Sequence, residues 1–155
     1  MSAPRRIVTT TDASGRSAVE SDGAPSAPGP RLTVLWEART PVDHDDMGGD
    51  PGAATGLPDP GTARFVRLVL PAGGADAGDP GALSVPLHRT DTLDLLYVAS
   101  GEVDLVLESG RVHLAAGDHL VMQGDVHGWR TTGPDDCVLV AVMLGAPARP
   151  DKGEP

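Results

Sequence analysis

The chain reads as an all-β protein. Three observations carry that reading: short apolar-alternating runs of strand length follow one another from about residue 83, glycine-bearing turns separate them, and no stretch shows a 3.6-residue apolar period. A series of this kind favours a sheet closed on itself or two sheets packed face to face.

Taken in order, residues 6–10 and 16–21 are polar segments with β-branched residues on either side of Asp12-Ala13-Ser14-Gly15, a composition suited to a hairpin turn. A Pro/Gly/Ala stretch at 23–30 follows. Residues 32–37 then alternate Leu32, Val34 and Trp36 against Thr33, Leu35 and Glu37, the mark of a strand with one buried face. The segment 41–62 is rich in Asp, Gly and Pro and has no period, so it reads as a disordered loop or a lid. Residues 64–70 resume as a strand, and 71–81 form a second Pro/Gly loop. Seven further strands are predicted at 83–88, 93–99, 102–107, 111–115, 119–123, 127–131 and 136–144. The organisation expected is an arm over 1–30, a β domain over 31–146 that contains the loop or lid, and a disordered tail over 147–155.

Composition removes several classes of function. At 155 residues the chain suits one domain with one core. No run of 18 apolar residues suggests a membrane span, and the first residues are polar rather than leader-like, so a cytoplasmic location and no membrane partner are expected. With 22 acidic and 12 basic residues the formal net charge is −10, and the arginines are scattered, which argues against nucleic acid as a partner. The single cysteine, Cys137, lies in an apolar run without a disulfide partner and reads as a small buried hydrophobe.

Polar chemistry concentrates between His88 and Trp129. His88, Thr90, Thr92 and Asp94 all fall on even positions before Gly101, so an extended backbone would turn them to one side together with Leu96 and Val98. A second cluster runs from Gly117-Asp118 to Gly124, His127 and Trp129. Separate strands bringing two histidines and a carboxylate together would make a site, with His88, Asp94 and His127 as acid/base groups. Thr90, Thr92, Tyr97 and Gln123 would supply hydrogen bonds to a substrate. Trp129 and Trp36 are candidate walls, and Leu96, Val98, Leu105, Met122 and Met143 would complete them. His44, in an acidic run, reads as a solvated loop residue. His113 and His119 offer no partner at recognisable spacing.

These two clusters resemble the two motifs of the cupin family, in its small single-domain bacterial form. The first family motif, His-x-His, three or four residues, Glu, six residues, Gly, has His88, Thr90, Asp94 and Gly101 in its places. The second, from a Gly-Asp turn to a Pro-x-Gly-x-x-His corner, is matched by Gly117, Gly124 and His127. The resemblance implies a double-stranded β-helix, or jelly-roll barrel, with the N-terminal hairpin as an arm. It also implies a small-molecule substrate and a homodimer, for which the hairpin could add a strand to a neighbour's sheet edge.

Thr90 stands where the family has a metal-binding histidine, and Asp94 where it has a glutamate. His88, Asp94 and His127 would then hold iron, manganese, nickel or zinc weakly, or no metal at all. Three functions remain open. One is a non-redox enzyme promoting isomerisation, dehydration or cyclisation of a carbonyl-bearing or polyketide-like molecule in specialised metabolism. The others are a metal-dependent dioxygenase or decarboxylase, and a binding protein without chemistry.

Overall fold

The computed structural model describes residues 3–54, 56–73 and 82–149, and these contain eleven strands and no helix. None of the described residues belongs to a helix long and apolar enough to cross a membrane. Each stretch predicted as a strand is one: β1 (Arg6–Thr11), β2 (Ser17–Gly23), β3 (Leu32–Arg39), β4 (Thr62–Leu70), β5 (Val85–His88), β6 (Thr92–Ser100), β7 (Glu102–Leu107), β8 (Gly110–Ala115), β9 (His119–Met122), β10 (His127–Thr131) and β11 (Cys137–Gly145).

Nine strands build two antiparallel sheets, ordered β3-β4-β11-β6-β9 and β5-β10-β7-β8, while β1 and β2 pair only with each other. Alternation explains the two layers. On β11, Cys137, Leu139 and Ala141 are buried while Val142 faces out, and on β6, Thr92, Asp94 and Val98 are buried while Leu93, Leu95 and Tyr97 are exposed. The inward residues Leu70, Val98 and Leu139 of one sheet meet Val103, Leu105, Leu114 and Trp129 of the other in a single apolar cluster. Each such side chain contributes about 1.5–3 kcal/mol by leaving water. Cys137 sits in that cluster at 0% exposure, and burial pushes its thiol up to about 11, consistent with a packing role.

One expected facing fails. A bulge between Val34 and Trp36 breaks the alternation of β3, so Val34 stays in the core while Trp36 is opposite Phe65 on the outer face. Trp36 therefore does not reach the barrel interior. It lies under Arg6, whose guanidinium is 5.6 Å from the ring centroid, and its Nε1–H donates to the Met47 carbonyl at 2.9 Å.

The 41–62 segment is a strap pinned at several points. Glu37 and Gly49 exchange backbone hydrogen bonds of 3.0 and 2.9 Å. The Arg64 side chain is paired with Glu37 and donates to the carbonyls of Gly56 and Leu57 at 2.9 and 3.3 Å. At the far end of β11 the strap comes so close that a Cβ on Gly145 would stand 2.1 Å from the Asp59 carbonyl oxygen. Of the tail, residues 147–149 are described, with Arg149 donating to the Gln123 carbonyl at 2.6 Å. The rest of that expected tail, and most of the second Pro/Gly loop, lie outside the described residues.

Candidate functional site

A cavity of about 220 Å³ opens between the two sheets at one end of the barrel. Val66, Leu68, Leu96, Leu139, Ala141 and Met143 of the five-stranded sheet form one wall, Val85 and Trp129 of the other sheet stand opposite, and Leu57 of the strap closes part of the mouth. His88, Thr90, Asp94 and His127 supply the polar groups.

The strands bring these groups together from far apart in sequence. His127 on β10 is the cross-strand partner of His88 on β5, which sets their ring centroids 4.5 Å apart. After His88 the chain leaves the four-stranded sheet, and β6 carries Asp94 in on the other sheet, between the inward residues Met143 of β11 and Met122 of β9. Gly124, in the corner before His127, has φ +71°, and a Cβ there would stand 2.8 Å from the Thr90 carbonyl oxygen. The glycine lets the two motif segments touch behind the site.

Both imidazoles are held in a defined tautomer. The Nδ1 of His88 lies 2.9 Å from the Pro86 carbonyl and that of His127 lies 2.9 Å from the Asp125 carbonyl. A carbonyl only accepts, so Nδ1 carries a hydrogen, and in the neutral ring Nε2 holds the lone pair. His127 packs edge-on against Trp129 with centroids 6.0 Å apart. His88 is exposed at the mouth, whereas His127 is 3% and Asp94 2% exposed.

Burial shifts the inner pair in opposite directions. It pushes the Asp94 carboxyl above the ordinary carboxylate range, against the opposing pull of the Thr92 hydroxyl and the His127 and His88 rings. It pushes His127 below the ordinary histidine value, although the Asp125 carbonyl and the Asp94 and Asp125 carboxyls favour the charged ring. Both shifts favour the neutral forms: a carboxylic acid and an unprotonated imidazole in one apolar chamber. Two oxygens of the residues that line it, Asp94 Oδ1 and Thr90 Oγ1, are buried with no hydrogen-bond partner in the protein.

As donors, two free Nε2 lone pairs and a carboxylate suit a transition metal in kind. Their placement does not fit one: among the described residues, no three or more His, Cys, Asp or Glu side chains are grouped so as to hold an ion. No step is therefore routed through a metal below.

Of the residues expected to bind a substrate, Thr90 and Trp129 line the cavity. Thr92 is buried beside it, and with Gln123 it faces a separate groove of about 300 Å³ near Arg149. Tyr97 lies on the outer face of β6, 41% exposed, against the His119 ring at 4.9 Å, because its odd position turns it away from Asp94. Trp36 is displaced by the bulge in β3. Sequence reasoning missed Leu57, although the inward β4 residues Val66 and Leu68 were visible in the alternation of 64–70. A larger hollow, about 910 Å³, lies elsewhere, an open groove between the β1–β2 hairpin and residues 44–50. It is open, and Arg6 meets Asp50 across it at 2.8 Å, so the smaller, more apolar cavity where His88, Asp94 and His127 converge is the better candidate.

Fold and hollow define a two-sheet antiparallel β-barrel enclosing an apolar cavity with one polar end. The fold is a cupin-type double-stranded β-helix, and residues 78–143 match the family model of the cupin domain. It is similar to the cupin domain of Cnp3 from Schizosaccharomyces pombe, with a TM-score of 0.52 at 10% identity, over 91% of this chain and 87% of that one. Among curated proteins it resembles the phomopsin biosynthesis cluster proteins C' and D of Diaporthe leptostromiformis. Each is 46% identical over 52 residues, which is 33% of this chain and 27% of the relative. The matched stretch thus covers little more than a quarter of those proteins.

Proposed function

We propose that the barrel takes up a small, uncharged, carbonyl-bearing organic molecule and moves protons on it without redox chemistry. The observation that carries this reading is a pair of buried polar atoms with no partner in the protein, Thr90 Oγ1 and Asp94 Oδ1, on residues that line an otherwise apolar cavity. Buried polar groups are normally paired, so their partner is expected among the groups that enter the cavity. Among the described residues, no arginine or lysine lines the cavity. A carboxylate or phosphate would be desolvated there without a counter-charge, and a neutral ligand is favoured.

Acid/base roles follow from the two shifts. His127 Nε2 accepts a proton from the carbon next to the substrate carbonyl, while the neutral Asp94 carboxyl donates its proton to the carbonyl oxygen, giving an enol. Return of a proton from His127 to a different carbon, with Asp94 recovering its own from the oxygen, completes an isomerisation. Loss of a neighbouring hydroxyl as water, or attack of the enol carbon on a second carbonyl, gives dehydration or ring closure. His88 at the mouth orients the polar end of the ligand. The likeness to proteins of a phomopsin biosynthesis cluster supports a place in specialised-metabolite biosynthesis.

The test uses 2-tetralone as a neutral, enolisable probe, with loss of its α-protons in D2O followed by NMR. The wild type is expected to exchange them at least tenfold faster than buffer, and His127→Ala is expected to abolish the excess. Probe binding without exchange would reduce the protein to a binding module, and neither binding nor exchange would overturn the reading.

A further inference from the structure

The N-terminal hairpin has little apolar packing to hold it on the barrel. β1 and β2 pair only with each other, and their large apolar side chains Ile7 and Val19 are 52% and 60% exposed. An open groove of about 910 Å³ separates much of the hairpin from residues 44–50 of the strap. The hold therefore falls on a few groups, and Arg6 is at their centre.

The bulge in β3 makes the seat for that side chain. Its extra residue, Leu35, is unpaired with β4, and the Leu35 carbonyl accepts from Arg6 Nη1 at 2.8 Å. The same guanidinium lies over the Trp36 ring, and its Nη2 meets Asp50 of the strap at 2.8 Å. One side chain thus ties hairpin, barrel and strap together. Asp50 is prepared to receive it. The Ser26 and Gly52 N–H groups donate to its carboxylate at 2.8 and 2.9 Å and hold it well below the ordinary carboxylate range, so it stays charged opposite Arg6.

From Asp50 the strap runs on to the cavity. Gly49 exchanges backbone bonds with Glu37, Ala54 packs on Val34, Val66 and Ala141, and Gly56 and Leu57 reach the mouth. Leu57 is 45% exposed there, so the piece of wall it supplies is kept in place by the strap's anchors and not by its own burial. Segments with few buried apolar contacts open at a small fraction of the global unfolding free energy. Among the side chains that anchor this one, Arg6 is carried by the hairpin.

We propose that Arg6 is a positioning residue for the cavity: the docked hairpin holds the strap down, and release of Arg6 from Asp50 and Leu35 opens the path past Leu57. The hairpin is then a clasp on the mouth of its own barrel. Its effect on ligand entry rests on the uptake of a neutral molecule proposed for the barrel, whereas its hold on the strap does not.

Amide hydrogen exchange of the full chain, with stopped flow, tests this. Arg6→Met keeps an apolar stem over Trp36 and loses the donors. It is expected to speed exchange at the Gly49 and Gly52 amides, which donate to the Glu37 carbonyl and the Asp50 carboxylate, by about tenfold, with the β11 amides unchanged. Association and dissociation of 2-tetralone should both rise severalfold and leave Kd nearly unchanged, a split that general loss of stability does not produce. Arg6→Lys, with the charge but without the planar fork of donors, should fall between. Asp50→Asn should reproduce the effect from the other side, and the double variant should add little to either. Should Arg6→Met fail to fold, Asp50→Asn carries the test. Wild-type exchange at the strap amides overturns the proposal, as does faster exchange spread equally over β11, or a loosened strap with unaltered ligand rates. Tetralin, similar in shape without the carbonyl, keeps the two readings apart. If it enters and 2-tetralone does not exchange its protons, the chemistry falls and tetralin's rates decide the clasp; if neither ligand binds, uptake falls and the Gly49 and Gly52 amides decide it.

Discussion

Replacing Asp94 by leucine should make the protein more stable and inactive. The carboxyl is 2% exposed and its Oδ1 has no partner in the protein, an arrangement that costs about 1–3 kcal/mol. A leucine buried there contributes about 1.5–3 kcal/mol, and the adjoining cavity of about 220 Å³ gives its extra bulk somewhere to go. Loss of the attraction between Asp94 and the Thr92, His127 and His88 groups offsets part of this. The net expectation is a gain of about 1–3 kcal/mol at pH 7, read from urea unfolding by circular dichroism. That corresponds to a rise in Tm of about 2–4 °C per kcal/mol for a chain of this size.

The pH dependence makes the prediction sharper. Because burial raises the Asp94 pKa in the folded state above its ordinary value of 3.8, the folded protein holds that proton more tightly than the unfolded chain. The stability this contributes is full below 3.8 and is lost as pH rises through the raised value. The advantage of Asp94→Leu should therefore be smallest in acid and widen toward neutrality, while Asp94→Asn, still polar and without a charge to titrate, should show less gain. Proton exchange on 2-tetralone should vanish in both. A leucine variant less stable than wild type by more than about 1 kcal/mol, or a difference that is flat with pH, would show that Asp94 serves the fold.

Two further outcomes probe the mouth and the donor set. Arg64→Met removes the charged donor to the Gly56 and Leu57 carbonyls and frees Glu37, so it should lower stability by about 1–3 kcal/mol, and raise association and dissociation rates of 2-tetralone severalfold in stopped flow; unchanged rates would show that the strap does not limit entry. Dialysis against EDTA should leave α-proton exchange within twofold, whereas a tenfold loss restored by iron(II) or manganese would establish the metal-dependent reading instead.

Much of the fold was legible because period-2 alternation and glycine turns are local signals, and each run between residues 64 and 145 forms a strand of one of the two sheets. What alternation cannot show is a bulge. The one after Val34 carried Trp36 to the outer face, although its spacing from Leu32 and Val34 pointed inward. Tyr97 failed for a different reason: β6 is apolar on both faces, so hydrophobicity gave no facing, and only its odd position, opposite in parity to Asp94, separated it from the cavity. The pairing of His88 with His127 was legible through the two glycine-anchored motifs. The part played by Leu57 was not, because a Pro/Gly/Asp-rich segment carries no sign of which of its few apolar residues will meet the barrel.

Thr90 brings these threads together. Where the cupin pattern places a histidine, this chain places a hydroxyl that is 3% exposed and unpartnered, beside Asp94 in place of a longer glutamate. Valine would fill the position of Thr90 with the same shape and no polar atom, so sterics alone do not require the threonine. Two unpartnered oxygens, at Thr90 and Asp94, at about 1–3 kcal/mol each, are a real burden against a typical net stability of 5–15 kcal/mol. On the proposed function, loss of a nitrogen donor and a shorter carboxylate suit this wall to hydrogen-bonding a neutral molecule rather than to coordinating an ion, with His127 as the group that takes its proton.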